Sequence, residues 1–520
     1  MSKPARTPRL ARAVAAALLS YTAAVPAAAA AVCAPGGTRG EELLAALQHG
    51  LRPSVLQPGE ALPAWSLRQR MVQLHVPGVA VAVIVDGKVA AAAGYGVLQA
   101  GGESRVDADT LFNVGSISKI ATAAISLRLV AQGKLELDRD VNSYLKSWQI
   151  PPAAAAGAGK VSLRMLLSHT AGLNVHGFPD FLPGEAVPTT LQSLDGKAPA
   201  RNEPVRLQRP PGLLGDYSGG GTLVEQLLIE DVSGQALEQV ARRELAAALK
   251  LSRSTFASPL PADTLNVAKA HDRDGRPEAL PRGWQTFPQQ APAGWWTTAR
   301  ELGEFTAALI RSYQGRSDYL PQPLALQMMS EVAPSWHGLG PRLDGAGSTR
   351  VFHHGGSNDS YHAWMEGYPH SGAGFVILTN SDSGARLRGE IRNALSDAIG
   401  CGVNPPVHSI ALDPVAAGIA GFAGRYRLER DFPLDQRRAL TDFFDVDELE
   451  IRHSAGTLSV SIPDETGKLL ALGPTRFIAP SVFATQYEFH RDAFGKVRAV
   501  TVEHVAGRAY YRRVQDASAP

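Results

Sequence analysis

The chain has 520 residues, of which 51 are basic and 49 acidic, for a net charge of +2. With 44% hydrophobic and 19% charged residues and abundant Gly and Pro, its composition is that of a packed globular protein with substantial loops, which excludes a fibre, a coiled coil or a disordered chain. The length exceeds what one ordinary hydrophobic core fills, so a large domain and at least one smaller unit are expected.

The first thirty residues stand apart. Lys3, Arg6, Arg9 and Arg12 precede an apolar stretch over 13–25, which Pro26 and a run of alanines over 27–31 close. This profile predicts a signal peptide over residues 1–30 and export to the periplasm or the medium; the apolar run is short and alanine-dominated for a membrane anchor. Its removal leaves 47 basic and 49 acidic residues, a net charge of −2. With no basic run and no aromatic-basic interleaving, neither nucleic acid nor an anionic membrane is an expected partner. No later segment approaches the ~18 uninterrupted apolar residues of a membrane helix, so no span is expected in the mature chain. Cys33 and Cys401 are the only cysteines. In an oxidising compartment they can form a disulfide or stay as two thiols; a lipid on Cys33 is the third reading, against which Val32 is bulky where lipoprotein signals carry a small residue.

Residues 41–47 and 66–74 have amphipathic helical periodicity, and Pro77 stops the second helix. The β-rich runs 79–85 and 89–97 flank Asp86-Gly87, a dipeptide that readily takes positive φ, so a tight hairpin is expected. Ile120, Ala124, Leu127 and Val130 recur at helical spacing over 117–132, with Gly133 as the cap, which places Ser116 at a helix entrance. Helices follow at 163–167, 223–232, 236–249 and 299–310. Strand character returns at 351–352, 361–368 and 374–379, and 387–399 reads as a last helix. Sheet residues thus bracket a helical insertion, an α+β arrangement over about 35–404. Short strand-like runs at 449–451, 458–462, 468–472, 486–490 and 497–505 then predict a small all-β, barrel-like domain over about 412–520.

Chemistry concentrates at Ser116-Ile117-Ser118-Lys119, which puts a hydroxyl and an amine one helical turn apart on one face. A serine hydroxyl is a weak nucleophile until a base takes its proton, and a lysine serves when its surroundings lower its pKa. A chain of this length is expected to hold on the order of two such patterns by chance. Ser143-Tyr144-Leu145-Lys146 is the internal control: it follows a loop-like stretch and reads as a solvated turn.

Context favours Ser116. Leu111-Phe112-Asn113-Val114-Gly115 leads into it, and the stretches 166–173 (Leu-Leu-Ser-His-Thr-Ala-Gly-Leu), Pro211-Gly212 through Tyr217-Ser218-Gly219, and His354-Gly355-Gly356 follow in order. With these motifs the chain resembles the class C β-lactamases and their relatives, the DD-peptidases, D-aminopeptidases and β-lactamase-like esterases. The resemblance spans most of residues 40–400 and implies an antiparallel sheet flanked by helices. It implies Ser116 as the nucleophile and Lys119 and Tyr217 as its proton-transfer partners. It also implies an oxyanion hole of the Ser116 and Ser357 backbone N–H groups, beside a substrate-binding strand edge of His354, Gly355, Gly356 and Ser357. A phenol beside a cation can act as base and then as acid in the two half-reactions.

Two positions depart from the family. Gly219 stands where an asparagine amide usually holds the substrate's own amide, and His354 stands where many lactamases carry lysine; neutral at pH 7, it is a poorer partner for a carboxylate. Both departures point away from penicillins. Ser168 and His169 lie in a motif that the resemblance makes structural, and no Gly-x-Ser-x-Gly elbow occurs. His353, His354 and His362 lack metal-ligand spacing with a glutamate, so neither a metal nor another cofactor is expected. Trp295 and Trp296 read either as a wall of the substrate pocket or as core.

The expectation is therefore an exported serine hydrolase working through an acyl-enzyme on Ser116. Esters come first as substrates, ahead of D-amino-acid peptides or amides, with β-lactams third. The rivals are a penicillin-binding or sensing module with little turnover, and a transacylase. Oligomeric state is left open.

Overall fold

A computed structural model describes residues 40–152, 159–401, 404–429, 446–462, 465–480, 484–504 and 507–514. The signal-peptide reading and Cys33 lie outside the described residues. Cys401 is engaged in a disulfide.

The large domain is built on a six-stranded antiparallel sheet. Helices α1 (Gly40–His49) and α2 (Leu67–Gln73) lead into β1 (Gly78–Val85) and β2 (Lys88–Gly96). Asp86 and Gly87 join these strands with φ of +48° and +66°, the conformation of a two-residue hairpin turn that follows the strand twist. Next come α3 (Ser118–Ala131), α4 (Leu163–Leu167), α5 (Gly219–Ser233) and α6 (Ala299–Tyr313). The chain then returns through β3 (Arg342–Asp344), β4 (Val351–Asn358), β5 (Tyr361–Tyr368), β6 (Ala373–Thr379) and α7 (Gly384–Ile399). The strand order is β2-β1-β6-β5-β4-β3, so the first hairpin docks on a strand almost 300 residues later, and Val81 pairs with Ile377.

Helices cover both faces of this sheet, which is why β1 is apolar at every position rather than alternating. Val79, Val81 and Val83 join Leu43, Leu47, Leu387 and Ile391 of α1 and α7 in one core. Ala80, Ala82 and Ile84 face α3, α6 and the helical insertion in the other.

Two elements run longer than their sequence patterns. The helix expected from 223 begins at Gly219, where Ser218 Oγ accepts the Gly221 N–H at 2.8 Å; the three glycines hide an N-terminus that a side-chain cap nonetheless makes. The strand expected at 351–352 continues to Asn358, because His354, Gly355 and Gly356 pair with Met365, Trp364 and Ala363 despite weak β propensity.

The C-terminal region is a closed eight-stranded antiparallel barrel, β7 (Gly424–Leu428), β8 (Glu448–Ser454), β9 (Thr457–Ile462), β10 (Glu465–Ala471), β11 (Arg476–Ile478), β12 (Gln486–Arg491), β13 (Val497–His504) and β14 (Gly507–Arg513). β14 closes on β7, with Tyr426 opposite Arg513. Phe422, Tyr426, Phe477, Phe489 and Tyr511 fill its interior. Strands β7, β11 and β14 had no clear strand signal because they are short or carry arginines at outward positions. A two-residue parallel pairing of Val55–Leu56 with Val407–His408, and the Ile410 N–H on Ala471 O at 2.8 Å, tie the barrel to the large domain. Among the described residues no helix is long and apolar enough to cross a membrane.

Candidate active site

Ser116 sits in a single 3₁₀ turn, Gly115–Ile117, that runs directly into α3. The turn is held from several sides. Gly115 has φ of +48°, its N–H bonds Asn113 Oδ1 at 2.9 Å, and Ser118 Oγ donates to Gly115 O at 2.6 Å. The Trp295 N–H reaches Ser118 Oγ at 3.0 Å, and Phe112 and Asn113 pair with Thr297 and Trp296. Trp295 and Trp296 are thus core residues that brace the turn carrying Ser116. Trp295 lies against Phe256 and Phe305, and Trp296 against Trp284, Phe287 and Tyr361.

One helical turn on, Lys119 Nζ lies 3.2 Å from Ser116 Oγ and donates to Pro292 O at 2.9 Å. Its Nζ stands 4.8 Å from the centroid of the Tyr217 ring. The structure therefore brings Tyr217 to Ser116 and Lys119, from which the chain separates it by about a hundred residues. Ser143 and Lys146 lie elsewhere on exposed surface, Lys146 bonded to Asp231 O.

Strand β4 lies directly against the turn that carries Ser116. A Cβ on Gly115 would fall 2.6 Å from Ser357 N, and one on Gly356 3.3 Å from Ser116 N, so the two amides expected to form the oxyanion hole are immediate neighbours. Asn358 Nδ2 donates to Asn113 Oδ1 at 2.6 Å and to Ala293 O at 3.1 Å, fastening the strand end to the same turn. Behind the strand, the buried Arg388 donates to Gly356 O at 3.2 Å and Ala363 O at 3.0 Å. Ser357 Oγ bonds His362 Nδ1 at 2.9 Å; burial and then the Arg388 charge push that imidazole down to about 3, so it stays neutral.

A cluster of imidazoles surrounds Tyr217 that no sequence spacing announced. Ring centroids of His169, His176 and His354 lie 4.4, 4.9 and 6.1 Å from that of Tyr217, and His337 is at 6.2 Å. The Arg342 guanidinium sits 5.3 Å from the same centroid. His337 and Arg342, bridged to each other at the sheet edge, lie about 160 residues beyond the loop that carries His176, so only the fold brings both groups to Tyr217. His169 is buried beside the tyrosine, and its Nδ1 accepts the Ser218 N–H at 3.3 Å, a bond to the backbone that carries Tyr217. His354 is 1% exposed. Its Nδ1 contacts Gly355 O at 2.6 Å, and since a carbonyl only accepts, Nδ1 carries the proton and Nε2 is a bare acceptor without a hydrogen-bond partner. Burial first, then the charges of Arg342, His337 and Lys119, hold His354 well below the ordinary histidine value. Burial and the same neighbours do likewise for His169.

No group of three or more His, Cys, Asp or Glu side chains placed to hold a metal occurs among the described residues. A cleft of about 770 Å³, lined by Arg68, Met71, Tyr95 and Arg105, opens at the β2 edge of the sheet, on the other side of the fold from β4, and contains none of the groups above.

A serine at a helix entrance, a lysine one turn away, a tyrosine beside it and a strand edge alongside are the arrangement of a serine hydrolase of the penicillin-recognising class. The family model described as Beta-lactamase matches residues 66–398, and the chain belongs to the β-lactamase family. It is 28% identical over 388 residues to penicillin-binding protein 4 of Amycolatopsis lactamdurans, covering 69% of this chain and 95% of that one. It is 30% identical over 235 residues to the β-lactamase of Lysobacter lactamgenus, covering 45% of this chain and 56% of the other. The fold is similar to that of the octameric penicillin-binding protein homologue from Pyrococcus abyssi, with a TM-score of 0.55 at 18% identity over 86% of this chain and 98% of that one.

Proposed function

We propose that this protein is an exported hydrolase that cleaves esters of modest size through an acyl-enzyme on Ser116. The observation that carries the reading is the 3.2 Å approach of Lys119 Nζ to Ser116 Oγ. Ser116 Oγ attacks the ester carbonyl while Lys119 and Tyr217 take its proton; the oxyanion rests on the backbone N–H groups of Ser116 and Ser357. The same proton returns to the departing alkoxide, and water, deprotonated in turn, releases the acid and restores the serine.

Esters rank ahead of amides and lactams because two recognition groups are missing. Gly219 offers no side-chain amide, and His354 is held neutral by burial rather than offering a cation to a carboxylate. Export is supported by the basic and apolar pattern of the first thirty residues and by the disulfide at Cys401, a bond that persists in oxidising compartments. A second reading, acylation by a lactam or D-amide with little turnover, draws support from similarity along 95% of the penicillin-binding protein above.

The test is colour release from p-nitrophenyl acetate and butyrate, nitrocefin and D-alanine p-nitroanilide by the protein and its Ser116→Ala variant. Ester turnover that disappears in the variant is expected. Lactam or D-amide turnover without ester turnover would reverse the substrate order, and a trapped acyl adduct with no product would favour the sensing module.

A further inference from the structure

One buried charge behind β4 has no counter-ion among the described residues. Arg388, on α7, is 4% exposed, and its polar contacts are two backbone carbonyls, Gly356 O at 3.2 Å and Ala363 O at 3.0 Å, both reached from Nη1. Other buried arginines packed on this helix are matched by carboxylates: Arg52 pairs with Asp397 and Arg70 with Glu390. Arg392, which shares the Trp364 ring with Arg388, is paired with Glu366. Burial first, then the charges of Arg392 and Arg342, bring the Arg388 guanidinium down to about 10, so it remains a cation at neutral pH. A charge taken out of water without a counter-ion opposes folding, so packing gives no reason for a guanidinium at this place.

Its position relative to the site supplies one. Gly356 O, which Arg388 holds, and the Ser357 N–H belong to the same peptide group. That peptide is trans, so its C=O and N–H point to opposite sides. The oxygen faces α7 and Arg388, and the N–H faces the turn of Ser116, where a Cβ on Gly115 would fall 2.6 Å from Ser357 N. A cation bonded to the oxygen draws electron density along the amide and leaves the N–H more positive. Hydrogen bonds that share a polar group strengthen one another in this way, most of all when one donor is charged and water is excluded.

We propose that Arg388 is a positioning residue for the reaction at Ser116, polarising the Gly356–Ser357 peptide group so that the Ser357 N–H is a stronger donor to the oxyanion. It touches neither substrate nor Ser116 and acts through the strand. The ground-state carbonyl gains little from this and the tetrahedral oxyanion gains much, so the effect falls on the transition state. The inference rests on the reading of the Ser116 and Ser357 N–H groups as the oxyanion hole.

The test uses Arg388→Met, which keeps a long side chain without charge or donors, and Arg388→Lys, which keeps the cation. Each is compared with the wild type in thermal melts, in kcat and KM for p-nitrophenyl acetate, and in affinity for phenylboronic acid. The boronic acid adds to a serine as a tetrahedral anion, so it reports on the oxyanion site without turnover. Arg388→Met is expected to fold with an undiminished melting temperature, because an unpaired buried charge is removed. Its kcat should fall about ten-fold with KM nearly unchanged, and boronic acid affinity should fall by a similar factor, less than the loss of a whole oxyanion donor. Arg388→Lys should recover most of both losses. Failure of Arg388→Met to fold, or a lowered melting temperature with the loss carried by KM, makes Arg388 a structural tie only and overturns the proposal. So does a kcat unchanged in folded Arg388→Met, or an Arg388→Lys no better than Arg388→Met. If the wild type turns over no ester, the ester reading falls and the boronic acid affinities decide alone; absence of Ser116-dependent boronic acid binding overturns the oxyanion-hole reading and this proposal with it.

Discussion

A Cβ placed on Gly356 would lie 1.8 Å from the carbonyl oxygen of Val114. The strand that carries His354 and Ser357 and the turn that carries Ser116 are therefore in backbone contact, with Arg388 bracing the strand from behind. Gly356→Ala must separate them. The expected cost is about 3 kcal/mol of stability, and kcat/KM falls at least ~100-fold as the oxyanion donors part. Gly355→Ala meets the Trp364 ring at 3.2 Å, a side chain that can shift, and is expected to be much milder. Thermal melts and ester kinetics on the pair check this; equal effects would mean that the Gly356 contact does not set the geometry.

Lys119 bonds both Ser116 Oγ and Pro292 O, while Tyr217 bonds neither in this arrangement. Lys119→Met keeps a stem of similar length without the amine, and Tyr217→Phe keeps the ring contacts with His169 and His176 without the hydroxyl. Each is expected to lower kcat by about 10²–10⁴-fold, the range for loss of a positioned proton-transfer group. Stopped-flow measurement of the acylation burst decides where the loss falls: Lys119→Met should slow the burst itself.

Glu225 on α5 is buried and accepts the Ser126 hydroxyl at 2.7 Å. Burial pushes its carboxyl up to about 8, with Ser126 and the Lys119 charge opposing in part. Because the folded value lies above the unfolded one, the neutral carboxyl carries no penalty below about pH 4.5, and stability is lost as pH rises from there through about 8. Glu225→Gln removes that titration. Melting temperatures from pH 5 to 9 should decline less in the variant than in the wild type, and parallel curves would discard the argument.

His354→Lys places an ammonium among Lys119, Arg342 and three imidazoles. Stability should fall, since a buried like charge is added. The ratio of nitrocefin to p-nitrophenyl acetate turnover should rise about ten-fold or more, because a cation then faces the lactam carboxylate. A ratio that stays flat in folded protein would show that His354 does not govern carboxylate recognition.

Much of this was legible along the chain. The Asp86-Gly87 hairpin, α4 and β5 follow from local turn chemistry and periodicity, and Ser116 and Lys119 meet because three residues is one helical turn. Tyr217 and His354 were reachable through motifs whose order matched a family. The barrel was legible as a β region although three of its strands were not, since a strand of alternating arginine and tyrosine has little hydrophobic signal of its own.

What the sequence determined by itself is thus much of what is fixed within a few residues: most elements and turns, and the pairing of Ser116 with Lys119 one helical turn on. Only the tertiary structure decided that Trp295 and Trp296 are braces in the core, that Arg342 and His337 close on Tyr217, and that the backbone of 174–176 packs against Gly219 and Gly220. Those contacts join segments tens to hundreds of residues apart, and they form because burying the two faces of one sheet leaves the backbone a single way to pack.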